Sequence, residues 1–166
     1  VVFQHYSLFP WMTTRKNVAF GIQQVRKELS RTQRLQVADE FLDKVGLSEF
    51  RNKYPSQLSG GMQQRAAIAR ALAMDTEILL MDEPFSALDP ISRRQLQDLI
   101  KTLHHELGLT IVFVTHNMEE AAYLGDRLCI MNHGEIIQTG TPDEIKSRPE
   151  NDFVARFFSR GCDGFE

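Results

Sequence analysis

The sequence has few of the features that would place it outside ordinary globular proteins. Its two cysteines, Cys129 and Cys162, form no C-x-x-C pair and have no partner histidine at zinc-ligand spacing. A disulfide-rich secreted scaffold and a zinc site are therefore not expected. No apolar run approaches the ~20 residues of a membrane-spanning helix, so we expect any membrane association to come through a partner. The net charge of -3 supplies no basic field for nucleic acid.

The chain also lacks an initiator methionine, and its first three residues resemble the end of a buried strand. We therefore expect a fragment of a longer protein. The 42% hydrophobic content in 166 residues is enough for one domain with a core.

The apolar pattern changes along the chain. Residues 15–70 are predicted to be mainly helical, with Ser59 as the N-cap of a helix that follows it. Two continuous apolar runs, residues 78–81 and 111–114, predict strands buried on both faces of a parallel sheet. Further predicted elements are a helix at 90–107, a hairpin turning at 132–134, a short helix capped by Thr141 and a last helix at 152–160.

The first apolar run ends in two adjacent acids, Asp82 and Glu83. Ligands of α/β proteins bind at the carboxyl ends of the strands. Adjacent carboxylates repel each other, so a metal ion or a division of roles would explain the pair. A solvated acidic turn is the alternative.

Residues 58–65 place two glycines, Gly60 and Gly61, at a predicted helix start. Helix N-terminal amides and the helix dipole favour a phosphate there, and Ser59 adds a hydroxyl. An ordinary capped helix after a flexible turn is the alternative.

With these two segments in this order, the chain resembles the ATPases of ABC transporters. The resemblance rests on a signature sequence at 58–63, a Walker B strand at 78–82 followed by Glu83, a D-loop at 86–89, a switch histidine at 116 and a Q-loop glutamine at 4. It implies an α/β, P-loop NTPase-like core with an inserted helical subdomain. We expect three parts: residues 1–9, the helical subdomain 10–73, and the remaining α/β core 74–166.

The resemblance also implies roles for individual residues, with ATP and Mg²⁺ as cofactors. Glu83 would polarise the attacking water, and His116 would contact the γ-phosphate; both are the expected catalytic residues. Asp82 and Gln4 would hold the metal. The expected nucleotide-binding residues are Gln4, Ser59, Gly60, Gly61, Gln63, Asp82 and Asp89, the last acting across a dimer interface.

One motif of the family has no counterpart in these 166 residues. A Walker A loop requires G-x-x-x-x-G-K-[ST], and no glycine is followed by lysine here. We therefore expect the Walker A half to lie before Val1, and this polypeptide alone to be inactive.

The aromatic segment, residues 5–13, follows the Q-loop. In bacterial importers of the family such a segment faces the membrane permease, and we expect docking near Tyr6, Leu8, Phe9 and Trp11. An aromatic core under the loop is the alternative. The implied assembly is a peripheral dimer of ATPase subunits at the cytoplasmic face of the membrane, served indirectly by a substrate-binding protein.

Three hypotheses about function remain open. The first is an importer ATPase, either for osmoprotectants such as glycine betaine or of the nitrate, sulfonate and taurine type. The second is a soluble ABC protein of DNA repair or translation, which would carry a coiled-coil insertion or a second cassette. The third is a catalytically dead fragment, because Walker A is absent from the sequence.

Overall fold

The computed structural model describes Val2 and residues 7–159, the side chain of Ser159 excepted. Gln4 and Tyr6, for which we predicted roles, lie outside the described residues. By its internal contacts the chain divides into two compact units, Val1–Val114 and Thr115–Glu166. The three-part division expected from the sequence remains a prediction.

The first unit begins with helices. They are α1 (Thr14–Val25), α2 (Arg31–Lys44) and α3 (Gly60–Leu72), with short 3-10 turns at Ser48–Phe50 and Pro55–Gln57. The three helices contact one another and bury aliphatic side chains including Val18, Ile22, Leu42 and Ile68. Ser30 and Ser59 cap α2 and α3 by accepting backbone amides. Helix α2 ends just before Gly46, whose φ of 71° suits glycine.

A small parallel sheet completes this unit. Strand β1 (Ile78–Asp82) pairs in parallel with β2 (Thr110–Val114), and α4 (Pro90–Leu107) connects them. On its other edge β1 bonds to Val2, whose amide donates to Leu80 O at 2.8 Å. The parallel pairing confirms the predicted topology.

The expectation that these strands are buried on both faces is wrong for this chain. Leu79 and Met81 are 2% exposed, whereas Ile78 is 56%, Leu80 42%, Val112 52% and Val114 60% exposed. Successive side chains of a strand point to opposite faces, and the side chains on one face of this sheet are exposed among the described residues. An apolar run reports the composition of both faces but not whether both are covered.

The second unit is built on a hairpin. Strand β3 (Leu128–Asn132) pairs antiparallel with β4 (Glu135–Gly140). The connecting residues His133 and Gly134 have φ of 49° and 84°, the positive values that tight two-residue turns need. Helices α5 (Met118–Leu124), α6 (Pro142–Ser147) and α7 (Asp152–Ser159) surround the hairpin's core. The buried core residues are Leu128, Ile130, Ile145 and Val154.

No helix in residues 7–159 combines the length and apolar character needed to cross a membrane.

Candidate functional site

The start of α3 has the geometry predicted for an anion-binding turn. Ser59 is its N-cap, and the Ser59 hydroxyl accepts the Met62 amide at 3.3 Å. Gly60 and Gly61 form the first turn, where backbone amides have no acceptor within the helix. Gln63 donates from Nε2 to Leu58 O at 3.2 Å, so its side chain closes the turn. These amides, with the dipole of a 13-residue helix behind them, can receive a phosphate.

Gly61 also allows two helix starts to approach each other. A Cβ built at Gly61 would lie 3.2 Å from the Ser92 Cβ in the first turn of α4. A side chain at Gly61 would require Ser92 to shift. The structure therefore brings the glycine turn of α3 beside the N-terminus of α4.

Asp89 caps that second helix. Its Oδ1 accepts the amides of Ile91 at 3.1 Å and Ser92 at 3.0 Å. A hydrogen bond from the Ser92 side chain and, as the second-largest cause, one from the Ser92 backbone amide lower the pKa of the Asp89 carboxyl. The side chain is exposed, so Asp89 can cap the helix and still be reached from solvent.

The acidic pair lies at the carboxyl end of β1, as predicted. Asp82 is the last residue of the strand and is exposed, while Glu83 is half-buried. Glu83 has a φ of 42°, which is uncommon for a residue with a side chain. Its amide donates to Val114 O at 3.0 Å. The surrounding structure thus holds Glu83 in a strained conformation, a feature that clusters at functional sites.

The turn after Glu83 is fixed by its carbonyl oxygen. Glu83 O accepts the Ser86 hydroxyl at 3.0 Å and the Ser86 amide at 3.3 Å. Phe85, which is fully buried, packs edge-on against Phe113 of β2 with ring centroids 6.2 Å apart. Glu83 is therefore presented by a rigid turn.

Asp82 could bind a magnesium ion whose other ligands are mainly waters and phosphate oxygens. Among residues 7–159 no group of three or more His, Cys, Asp or Glu side chains could hold a metal. Mg²⁺ retains several waters and is commonly bound through one or two carboxylates plus substrate phosphates. One exposed carboxylate at a strand end meets that requirement, and Gln4 lies outside the described part of the chain.

His116 belongs to the second unit and lies in a tightly bonded loop. The Thr115 hydroxyl donates to Glu120 Oε2 at 2.6 Å and accepts the Asn117 amide at 3.0 Å. Asn117 Oδ1 accepts the Glu119 amide at 2.9 Å. The residues on both sides of His116 are thus anchored to the first turn of α5, which fixes the direction of the loop. Glu120, only 7% exposed, was not predicted to matter.

The described part of the aromatic segment, residues 7–13, is an ordered loop. Phe9 packs edge-on against Phe20, with ring centroids 4.8 Å apart, and touches Trp11 at 5.4 Å. Trp11 is 69% exposed. One aromatic of the segment, Phe9, is therefore packed against α1, while a second, Trp11, is exposed to solvent. The docking role remains a prediction.

Two residues that hold this loop through polar contacts, Asn17 and Arg70, were missed from the sequence. Asn17 is fully buried, and its amide lies within 3.1 Å of the carbonyl oxygens of Phe9, Met12 and Thr13. Arg70 donates from Nη1 to Ser7 O at 2.8 Å. Asn17 shares the buried face of α1 with Thr14, Val18 and Gly21; a polar residue at that spacing was the available signal. No local pattern marks Arg70.

Comparisons with known proteins agree on one family. The family model described as ABC transporter matches residues 1–86. The glycine betaine transport ATP-binding protein OpuAA of Bacillus subtilis is 48% identical over 157 residues, 95% of this chain and 37% of that protein. The sulfate/thiosulfate import ATP-binding protein CysA of Nocardia farcinica is 50% identical over 157 residues, 94% of this chain and 46% of that protein. The spermidine/putrescine import ATP-binding protein PotA of Bacillus cereus is 47% identical over 157 residues, which are 95% of this chain and 47% of that protein.

A solved structure extends the likeness to the fold. The ATP-binding cassette MJ0796, a dimer in a post-hydrolysis state bound to ADP and Pi, matches with a TM-score of 0.72 and 39% identity. The match covers 85% of this chain and 61% of that one. The chain spans less than half the length of the three curated relatives. Its fold is the α/β, P-loop ABC ATPase core, and the chain belongs to the ABC transporter family, within its ATPase domain.

Proposed function

We propose that the chain is part of the ATP-binding, energy-coupling subunit of an ABC importer, which hydrolyses ATP to drive uptake of a small solute. The observation that carries the proposal is the presentation of Glu83. It directly follows Asp82 at the carboxyl end of β1, in a strained conformation held by Val114 and Ser86. Two relatives named as import ATP-binding proteins support the direction of transport.

In this proposal the described residues divide the work. Asp82 would hold Mg²⁺, which neutralises phosphate charge when bound. The Glu83 carboxylate would orient and polarise the attacking water. His116, in its bonded loop, would contact the γ-phosphate, and Gln4 would sense both phosphate and metal.

A second ATPase subunit would complete each nucleotide site. Ser59, Gly60 and Gly61 would contact the partner's nucleotide, and Asp89 would act across the interface. The proximity of Gly61 to Ser92, a residue that Asp89 caps, supports placing both on one surface. Gln63 would support this turn through its bond to Leu58 O.

The membrane permease would dock on the aromatic segment, at Tyr6, Leu8, Phe9 and Trp11. The exposure of Trp11 supports this. The subunit would be peripheral, at the cytoplasmic face of the membrane, and a substrate-binding protein would act on it only through the permease. We expect no nucleic-acid partner.

For the solute we propose a quaternary ammonium osmoprotectant such as glycine betaine. Relatives named for glycine betaine match at 46–48% identity. Relatives named for sulfate and for polyamines match at 50% and 47% identity, and a nitrate, sulfonate or taurine importer is the second candidate. The test is uptake of radiolabelled glycine betaine, taurine, sulfate and spermidine by cells with and without the complete gene. Loss of taurine uptake alone would overturn the osmoprotectant proposal.

A further inference from the structure

Arg70 connects two parts of the first unit that are remote in sequence. It lies in helix α3, ten residues after Gly60, so it is about 15 Å along the helix from the glycine turn. Its guanidinium donates from Nη1 to Ser7 O at 2.8 Å. Ser7 has a φ of 49°, a conformation unusual for a residue with a side chain. This contact joins the helix that begins at the phosphate-binding turn to the start of the aromatic segment.

The stem of Arg70 is held from its other side. A Cβ built at Gly21 of α1 would lie 3.0 Å from Arg70 Cγ and 3.1 Å from Arg70 O. A side chain at Gly21 would therefore be crowded by Arg70, and glycine allows α1 and α3 to approach closely here. Burial lowers the pKa of the guanidinium, as expected for a cation with limited contact with water. The arginine therefore occupies a fixed position between α1 and the loop.

The loop itself behaves as one block. Asn17 accepts the Phe9 amide at 2.7 Å through Oδ1 and binds the carbonyl oxygens of Phe9, Met12 and Thr13 through its amide nitrogen. Residues 9–13 are thus held together against α1, and only Leu8 separates them from Ser7.

We propose that Arg70 is a positioning residue that ties helix α3 to the aromatic segment, so that movement of the glycine turn is transmitted to the permease-docking surface. The inference rests on the proposed function, because it assumes nucleotide at one end of α3 and a permease at the aromatic segment.

The experiment measures hydrogen exchange by mass spectrometry in peptides covering residues 7–17 of the complete subunit, with and without ATP and Mg²⁺. Arg70→Met keeps the stem over Gly21 and removes the donor. We expect exchange in this peptide to rise about tenfold, the effect of losing one hydrogen bond to a charged group. We also expect that ATP binding no longer changes the exchange rate of this peptide. Arg70→Lys, which retains a charged donor, should restore most of both effects.

Arg65→Met is the matched control, since Arg65 lies on the same helix and its Nη2 bonds the exposed Gln95 Oε1 at 3.3 Å. It should leave exchange in residues 7–17 at the parental rate. Should Arg70→Met fail to fold, Arg70→Gln replaces it, because its amide is too short to reach Ser7 O.

The outcomes separate the two proposals. A parental ATP response in Arg70→Met, or in Arg70→Gln where it replaces that variant, would overturn the role of Arg70 and leave the proposed function intact. An absence of ATP binding and of any ATP response in the parent would remove both. The tie between α3 and the aromatic segment is supported if Arg70→Met loses the ATP-dependent change in hydrogen exchange. The variant must still bind ATP and melt within a few degrees of the parent.

Discussion

The side chain of Asn17 binds both polar backbone groups of Phe9: Oδ1 accepts the Phe9 amide at 2.7 Å, and Nδ2 donates to the Phe9 carbonyl at 3.1 Å. One buried amide thereby fixes the conformation of the loop that carries Trp11. The aromatic segment is therefore held by helix α1 and not by aromatic packing alone.

We expect Asn17→Ala to destabilise the subunit by about 2 kcal/mol, because a buried side chain loses its bonds to the Phe9 amide and to three carbonyl oxygens. The same change should shift the Trp11 environment. Denaturant unfolding and fluorescence of the only tryptophan in the chain measure the two effects. Lys16→Ala, on the exposed face of the same helix, is the control and should stay within about 0.5 kcal/mol. Equal stability of Asn17→Ala and Lys16→Ala would contradict the role of Asn17.

Glu83→Gln should lower ATP turnover by ~10²–10⁴ in the complete subunit, because an amide cannot polarise water with a full charge. ATP binding and dimer closure should remain, since the shape and the backbone bonds to Val114 and Ser86 are kept. Steady-state hydrolysis and equilibrium ATP binding test the two halves of the prediction. Turnover at the parental rate would show that Glu83 is not the catalytic carboxylate.

Trp11→Ala should uncouple transport while leaving stability and detergent-free ATPase activity nearly unchanged, because most of the side chain is exposed. Truncating a central interface aromatic can cost ~2 kcal/mol, which is more than tenfold in permease affinity. Leu8→Asp should also uncouple transport, because it places a negative charge on the proposed docking surface.

Phe20→Ala is the control for this comparison, because Phe20 supports Phe9 from below. It should lower the melting temperature together with activity. If Trp11→Ala lowered stability and ATPase activity in the same proportion as uptake, the docking role would have to be withdrawn.

Asp89→Asn should preserve stability, since the amide oxygen can still accept the Ile91 and Ser92 amides, whereas Asp89→Ala should lower it. The folded pKa of Asp89 is depressed, so its charged-state contribution is present above the unfolded value of 3.8 and is lost as pH falls through the lower folded pKa. Melting curves between pH 2 and 7 of all three proteins measure this. If Asp89→Asn lost ATP hydrolysis while its stability stayed at the parental level, the proposed role of Asp89 across the dimer interface would gain support. If hydrolysis were unchanged, helix capping would be the only remaining role of Asp89.

The isolated 166-residue polypeptide should bind ATP-Mg²⁺ weakly or not at all, because no Walker A sequence occurs in it and the groups present would contact chiefly the γ-phosphate and metal. Titration calorimetry on this polypeptide is the measurement. Micromolar affinity would overturn the expectation, and hydrolysis should return when a Walker A segment is supplied.

Local signals predicted much of this fold. The N-caps Ser59 and Asp89, the glycine after α2, the hairpin turn and the capping box at Thr141 are all encoded within a few residues of where they act. The acidic pair could be placed at a strand end for the same reason.

Contacts distant in sequence could not be predicted. Whether Ile78 and Val112 are covered depends on what packs over the sheet, and apolar composition does not report that. The Arg70 to Ser7 bond joins a side chain to a backbone carbonyl 63 positions away, and any residue supplies such a carbonyl. The strain at Glu83 likewise arises from the bonds of its neighbours.

The positive φ of Glu83 sets stability against activity at a single position. Glycine would adopt the same backbone more easily, at a gain of about 1 kcal/mol, but would remove the carboxylate. Selection for thermal stability alone would therefore favour glycine at position 83. The resulting protein would be more stable but would lack the proposed catalytic carboxylate. Glutamate at position 83 is therefore expected from the catalytic role proposed for its side chain and not from backbone stability.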